Sequence, residues 1–278
     1  MSFACGLAAI ATAFLAITLG AVLAAQNMPL PGPNAQMKQK PGSGAASYLA
    51  DGDLNFLEVL PPYPTIGSKQ DEADVATLKQ WRQPVDSVRW KLAQSDAEQS
   101  YNDFKEAFGE EISASRTPLL VHLLDRVEAS ASSALGQAKQ YYHRPRPYQR
   151  FQFDHVCGYA QAPAPDGSAM GNSYPSGHTT FGWTAALALA QAAPDRAQAI
   201  LARAQEYGES RLVCAVHYPS DVQGGELLAT ATINKIAALP EFKRDLSCAK
   251  QEHEVALGSR KQVDAECSAL LTEQEKAR

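Results

Sequence analysis

Apolar positions follow three regimes along the chain. Ala8 to Leu23 is almost purely apolar, whereas residues 26–46 are rich in Pro, Gly, Gln and Ala and carry no apolar period. From Ser68 onward the spacing is helical. Asp71-Glu-Ala-Asp opens a segment through Trp81, and Pro84-Val-Asp begins another that runs toward Phe108, as acidic first turns and Pro at a helix start predict. Thr117-Pro118 starts a strong amphipathic segment carrying Leu119, Leu120, His122, Leu123, Val127 and Leu135. Further helices are predicted after Pro175-Ser176, from Pro194 to about Val216, and from Pro219 to about Leu239, and residues 251–278 are charged and helical in composition. Residues 56–65, FLEVLPPYPT, read as a Pro-punctuated extended stretch. Alternating Val/Ile/Thr patterns are nearly absent and no repeat is present. The expectation is an all-α, single-domain helical bundle of about seven helices.

The first regime changes the picture of where the chain works. No side chain before Lys38 is charged, and the apolar run ends in Val22-Leu23-Ala24-Ala25-Gln26. Small residues at the exit of an apolar core are what a signal peptidase reads, so residues 1–25 are read as a signal peptide cleaved after Ala24 or Ala25. The run approaches the ~20 residues that span a bilayer, which makes a retained anchor the alternative. The small residues and the lack of a basic stop-transfer cluster favour cleavage. Residues 26–46 then form a flexible leader, and residues 47–278 the domain. A periplasmic or secreted protein follows, with no stable membrane contact once the signal is gone.

Composition narrows the classes. The chain has 278 residues, a formal net charge of −5, 45% hydrophobic and 20% charged residues. Those values exclude a disordered tail, a collagen-like fibre and a basic nucleic-acid binder. Cys5 leaves with the signal peptide, so Cys157, Cys214, Cys248 and Cys267 remain, an even number in an oxidising compartment. Of the three possible connectivities, the closeness of Cys248 and Cys267 near the C-terminus favours Cys157–Cys214 with Cys248–Cys267. No C-x2-C spacing supports a zinc site.

The reactive side chains concentrate in three clusters between residues 139 and 221. Lys139-QYYHRP-Arg146-Pro147 carries a lysine and an arginine seven apart, with Pro145 and Pro147 bracketing Arg146. Taken alone this is also what a solvated basic turn looks like. In Tyr174-Pro175-Ser176-Gly177-His178 a helix starts on a Ser N-cap, so unpaired N–H groups and the positive dipole end form an anion site. Gly177 lets an anion approach the backbone, and His178 stands beside it. In Ser210-Arg211-LVCAV-His217-YPS-Asp221, Arg211 offers a fork for phosphate oxygens. Asp221 is spaced to accept a ring N–H of His217 and leave the other nitrogen as a nucleophile. A satisfied core histidine is the plain alternative for His217. Together the clusters hold three cations, an anion nest and two histidines, one with a carboxylate orienter. That set suits phosphoryl transfer: charge neutralisation, an in-line nucleophile and a proton donor.

K-x6-RP, PSGH and SR-x5-H-x3-D, complete at every defining position, resemble the three-part signature of the acid phosphatase and vanadium haloperoxidase superfamily. The wording FLEVLPPYPTIGS, HRPRPY and NSYPSGHTTFGW is similar to the class A bacterial nonspecific acid phosphatases, over roughly residues 48–245. His217-Tyr-Pro-Ser-Asp221 departs from that class, which more often has Trp-Gln after the histidine; the Tyr-Pro wording is closer to the lipid-phosphatase branch. The resemblance implies a metal-independent enzyme without cofactor that hydrolyses small phosphomonoesters through a phosphohistidine, with broad specificity and a phosphotransferase side reaction. It implies His217 as nucleophile, His178 as general acid and then base, and Asp221 as orienter. Lys139, Arg146, Arg211, Ser176, Gly177 and the backbone amides of Gly177 and His178 hold the phosphoryl oxygens. Three cations already balance a group of charge about −2. Homo-oligomers are common in that class, so a homo-oligomer is left open.

Other chemistries fit less well. The same pocket serves membrane-anchored lipid or pyrophosphate phosphatases and vanadate-dependent haloperoxidases, and a silent phosphate-binding protein would keep the cations without needing the nucleophile, acid and orienter. No cysteine begins a C-x5-R loop, and there is no R-H-G-x-R-x-P. The D-x-D of Asp51-Gly-Asp53 sits in a turn-like context. His122, His143, His155 and His253 have no partner at ligand spacing and are read as structural or surface residues. Arg144 is held as a stand-in if Arg146 points away.

Overall fold

The computed structural model describes Gly42, residues 44–167 and residues 171–277, with side chains through Thr272. The expected signal peptide, residues 1–25, and most of the 26–46 leader lie outside the described residues. Among the described residues there is no strand. The helices are α1 (Phe56–Val59), α2 (Lys69–Gln80), α3 (Val88–Ser95), α4 (Lys105–Phe108), α5 (Pro118–Tyr142), α6 (Pro147–Arg150), α7 (Gly177–Ala192), α8 (Ala197–Val213), α9 (Pro219–Ile236), α10 (Pro240–Ala256) and α11 (Ala265–Ala277). The chain is all-α, as its periodicity predicts.

α7 is the axis of the bundle. Thr179, Thr180, Phe181, Gly182, Thr184, Ala185, Ala186, Ala188 and Leu189 are all buried, so nearly its whole circumference is covered. A helix apolar all round belongs inside a core, and α7 packs against α5, α8, α9 and α10. Small residues set the approach. A Cβ at Gly182 would lie 2.6 Å from the Tyr207 ring of α8, and one at Gly225 of α9 would lie 2.7 Å from the Ser176 carbonyl oxygen. Phe104, Phe108, Leu123, Leu124, Val127, Ile200, Tyr207 and Phe242 close around α7, each large apolar side chain contributing about 1.5–3 kcal/mol by leaving water.

α5 begins with Pro118 at its first turn, and the Glu252 carboxylate of α10 accepts its free N–H groups from Leu119 and Leu120 at 3.0 and 2.9 Å. Burial pushes that carboxyl up to about 7 despite the two bonds. The helix ends at His143, in the left-handed region with φ 50°, which puts Lys139 in its last turn and turns the chain into the Arg144–Pro147 segment.

The segment expected as one helix from Pro84 toward Phe108 is broken. Pro84–Ser87 forms a turn, and α3 starts after it on Ser87, whose hydroxyl caps the Trp90 N–H. After α3 the chain turns at Asp96, whose buried carboxylate receives Ser210 and Arg203, and Tyr101–Phe104 forms a 3-10 turn. Desolvating Asp96 is offset only by those partners, and they hold the chain away from a continuous helix axis. Residues 56–65 also differ: Asn55 caps the single turn α1, and only the part after it is extended. Residues 251–278 belong to two helices, the end of α10 and α11, and α9 stops at Ile236. Eight helices of eight or more residues stand among the described residues, one beyond the expected seven.

Both expected disulfides are present, Cys157–Cys214 and Cys248–Cys267. The second joins α10 to α11. The first ties the loop after α6 to the C-cap of α8, three residues before His217. Within the stretch read as leader, Gly42 donates its N–H to Asp125 at 2.8 Å, and Ala46 accepts from Arg126 at 3.0 Å.

Gly225 couples this packing to the site, because a methyl there meets backbone that cannot give way. Gly225→Ala is expected to lower stability by about 1–3 kcal/mol in urea unfolding; an unchanged midpoint would contradict the close approach of α9 to α7.

Candidate active site

The first turn of α9 brings the three clusters together. Pro219 starts α9 without needing an N–H donor, and Asp221 at its third position folds back over the helix start. Its Oδ2 accepts from the Tyr218 N–H at 2.9 Å, from the Ser173 hydroxyl at 2.6 Å and from His217 Nδ1 at 3.2 Å. Its backbone carbonyl accepts the Ser176 N–H at 2.9 Å. His217 and Asp221 are buried, at 1% and 0% exposure. Burial alone would raise the Asp221 carboxyl; the His217 hydrogen bond and the Arg144 charge hold it well below the usual carboxylate range.

Those partners assign the His217 tautomer. A carboxylate only accepts, so Nδ1 carries the proton. Nε2 then accepts from the Arg146 Nη1–H, 2.9 Å away. Burial, then the nearby Arg146 charge, hold the imidazole well below its ordinary value despite Asp221. His217 is therefore neutral, with its Nε2 lone pair directed at a guanidinium.

Arg146 also donates Nη1 to the Val216 carbonyl at 2.8 Å and Nε to Asn172 Oδ1 at 3.0 Å. Lys139 reaches the same place from α5, with Nζ donating to the Asn172 and Pro175 carbonyls at 2.7 Å each. Arg211, from the last turn of α8, is 2% exposed and donates Nη2 to the Ala93 carbonyl at 3.0 Å. Its buried Nε has no hydrogen-bond partner among the described residues. Burial brings this guanidinium down to about 10. An orphaned buried donor of this kind costs ~1–3 kcal/mol, and an anionic oxygen would satisfy it.

Ser176 caps α7, its hydroxyl oxygen accepting from the Thr179 N–H at 3.3 Å and the Thr179 hydroxyl at 2.9 Å. At Gly177 an added Cβ would make only ordinary contacts, 3.5 Å from Leu135 and 3.6 Å from Lys139. The protein's own packing does not demand glycine there; close approach of a ligand to the helix N-terminus would. His178 donates Nε2–H to the Ala97 carbonyl at 3.0 Å, which leaves Nδ1 as the nitrogen available to a ligand. Burial and the charges of Arg211, Arg146 and Lys139 bring His178 down to about 3. The same three cations thus act on one histidine.

Every residue singled out from the three motifs is brought to this place. Arg146 faces the site, so Arg144 is not needed to stand in for it. Arg144 is fully buried on the far side of Asp221, with Nη1 donating to Asp221 Oδ1 at 2.7 Å and Nη2 to Asp74 at 2.8 Å. Ser173, Asn172 and the Ala97 and Ala93 carbonyls are participants that motif reading missed. Ser173 and Asn172 lie just ahead of the PSGH turn, where a polar run was the available signal; a backbone carbonyl leaves none. His155 and His253 are structural as expected, bonded to the Gln83 carbonyl and the Glu110 carboxylate. His122 lies 3.4 Å from the Asp245 carboxylate.

This arrangement has known counterparts. The profile of the PAP2 superfamily matches residues 112–245. The acid phosphatase of Zymomonas mobilis is 36% identical over 204 residues, 72% of this chain and 76% of that protein. The non-specific acid phosphatase of Providencia stuartii is 33% identical over 211 residues, covering 74% and 84% of the two chains. That of Salmonella typhimurium is 33% identical over 172 residues, 60% and 67% respectively.

Both site histidines are predicted to stay neutral in the ligand-free protein when pH is lowered from about 7 to about 5. The unfolded chain takes up protons on them below ~6.5, so they contribute stability that falls as pH drops from there toward the folded value of about 3 at His178. Inorganic phosphate should raise the His178 value by opposing the three cations. Imidazole NMR titration reads both effects; a His178 that protonates near pH 6.5 without ligand would contradict the electrostatics.

Proposed function

The chain belongs to the PAP2 superfamily and is an acid phosphatase, and from that premise we propose that it is an exported, metal-independent phosphomonoesterase working through a phosphohistidine on His217. The observation that carries this reading is the state of His217: neutral, with Nδ1–H committed to Asp221 and Nε2 facing the cations.

In the first step Arg146 exchanges Nε2 for a phosphoryl oxygen. The Nε2 lone pair then attacks phosphorus, the N–P bond forms and the bond to the ester oxygen breaks. His178 gives its Nδ1 proton to the departing oxygen, releasing the alcohol. Lys139, Arg146, Arg211, the Ser176 hydroxyl and the Gly177 and His178 N–H groups hold the three non-bridging oxygens, where charge is stabilised in transfer. The His217 Nδ1 proton stays on the ring, and Asp221 supports the positive charge that develops there. In the second step neutral His178 takes a proton from water, the water oxygen attacks phosphorus, the N–P bond breaks and inorganic phosphate leaves. An alcohol entering in place of water gives phosphotransfer.

His178 must carry a proton for the first step. At about 3 in the empty site it is unprotonated at mildly acid pH; the substrate's own negative charge is what raises it into use. Acid conditions help the same step. The assigned residues act on the phosphoryl group, on His217 or on the ester oxygen and none on the rest of the alcohol, which supports broad tolerance of the alcohol portion and small-molecule phosphomonoesters as substrates. Export to the periplasm or outside is supported by the apolar N-terminal run and by two disulfides suited to an oxidising compartment. Among the described residues no helix is long and apolar enough to cross a membrane.

p-Nitrophenyl phosphate hydrolysis is expected to persist in EDTA and to be inhibited by vanadate. His217→Ala should reduce kcat by about 10³-fold or more. Hydrolysis by that variant at the wild-type rate would remove His217 from the mechanism.

A further inference from the structure

Behind the His217–Asp221 pair, on the side away from the cation pocket, lies a second set of charges that the phosphatase chemistry does not use directly. Arg144 is fully buried and hydrogen-bonds two carboxylates, Nη1 to Asp221 Oδ1 at 2.7 Å and Nη2 to Asp74 Oδ2 at 2.8 Å, with Asp71 Oδ1 further off at 3.7 Å from Nη2. Asp74 comes from α2 and is 8% exposed. It also accepts the Ser220 N–H at 3.2 Å and the Ser220 hydroxyl, so it grips the first turn of α9 twice. The Arg144 guanidinium is stacked over the Tyr218 ring at 4.0 Å and lies over Tyr63 at 5.1 Å. Beside it Asp71 pairs with Arg150 through two bonds of 2.7 Å each.

The charges decide what this set does. Asp71 and Arg150 cancel. Arg144 alone against Asp221 would also cancel, leaving the carboxylate that faces His217 with little net field to offer. A second carboxylate on Arg144 changes that balance, so that Asp74, Arg144 and Asp221 together carry one net negative charge in a site without water-exposed screening.

We propose that Asp74 is a positioning residue for the phosphohistidine reaction: by neutralising Arg144 it frees the charge of Asp221 to stabilise the positive ring that His217 becomes when its Nε2 bonds to phosphorus. This rests on the phosphohistidine reading above. Asp74 acts on the transfer step and not on ground-state phosphate binding, because it contacts none of the anion-holding groups. Its influence reaches the reacting nitrogen through Arg144 and Asp221, and through its hold on Ser220 beside Asp221.

The test compares Asp74→Asn, close in shape and uncharged, and Asp74→Ser, smaller and uncharged, with Asp74→Glu, which keeps the charge. Rapid-quench measurement of acid-labile phosphoenzyme formation should show the two uncharged variants slowed by about tenfold or more, with the inhibition constant of inorganic phosphate unchanged within about twofold and Asp74→Glu faster than either. Two uncharged variants are used so that misfolding of one leaves the other to decide. Phosphoenzyme formation at the wild-type rate in a folded uncharged variant overturns the proposal, as does a slowing matched by an equal loss of affinity for inorganic phosphate, which marks a merely structural role. If wild-type protein forms no phosphohistidine, it is the underlying mechanism that fails.

Discussion

A carboxylate buried among apolar side chains is tolerated only when its charge and lone pairs are met, and Asp221 meets that condition by gathering the whole site around itself. One oxygen takes Tyr218 N–H, Ser173 O–H and His217 Nδ1–H; the other takes Arg144. Its main-chain carbonyl takes the N–H of Ser176, the residue that caps α7. Thus the residue that orients His217 also sets the register between α9 and the N-terminal end of α7. Removing one partner of such a buried charge costs about 3–5 kcal/mol, which makes the arrangement close to all-or-none. Gly225, one helical turn further along α9, permits the approach that the Asp221–Ser176 bond requires.

The opposite face of His217 obeys the reverse constraint. Three cations converge there, and one of them, Arg211, keeps a buried N–H without a partner among the described residues. Both histidines are held neutral by burial and by those cations. The cluster of cations therefore carries an electrostatic cost that an oxyanion relieves. The same field that keeps His217 a free base at acid pH also keeps His178 from holding a proton until substrate charge arrives. In the proposed mechanism His217 and His178 are thus both brought into use by one event, the entry of the phosphoryl group.

The parts of this design that recur at fixed spacing were legible in the chain. K-x6-RP, PSGH and SR-x5-H-x3-D named the cations, the helix N-terminus and the His217–Asp221 pair, because each depends on neighbours a few residues apart. The long helices were legible for the same reason: a Pro at the first turn of α5 and α9, and a Ser cap followed by an almost unbroken apolar run in α7. What depended on distant partners was not. Arg144 reads as a spare cation beside Arg146, and only the fold shows that Arg144 bonds Asp221 while Arg146 bonds Nε2 of His217. Asp74 lies in an acidic helix start that looks like ordinary dipole complementation. The break after α3 follows from Asp96 pairing with Arg203 and Ser210 across the bundle, which no local pattern announces.

The central claim is that phosphorus passes through a covalent bond to nitrogen, by two in-line displacements. The stereochemical course tests it most directly, using a substrate whose phosphoryl group is chiral through oxygen isotopes, transferred to an alcohol acceptor. Two displacements predict net retention of configuration at phosphorus; net inversion would mean direct attack by the acceptor and would contradict His217 as the nucleophile.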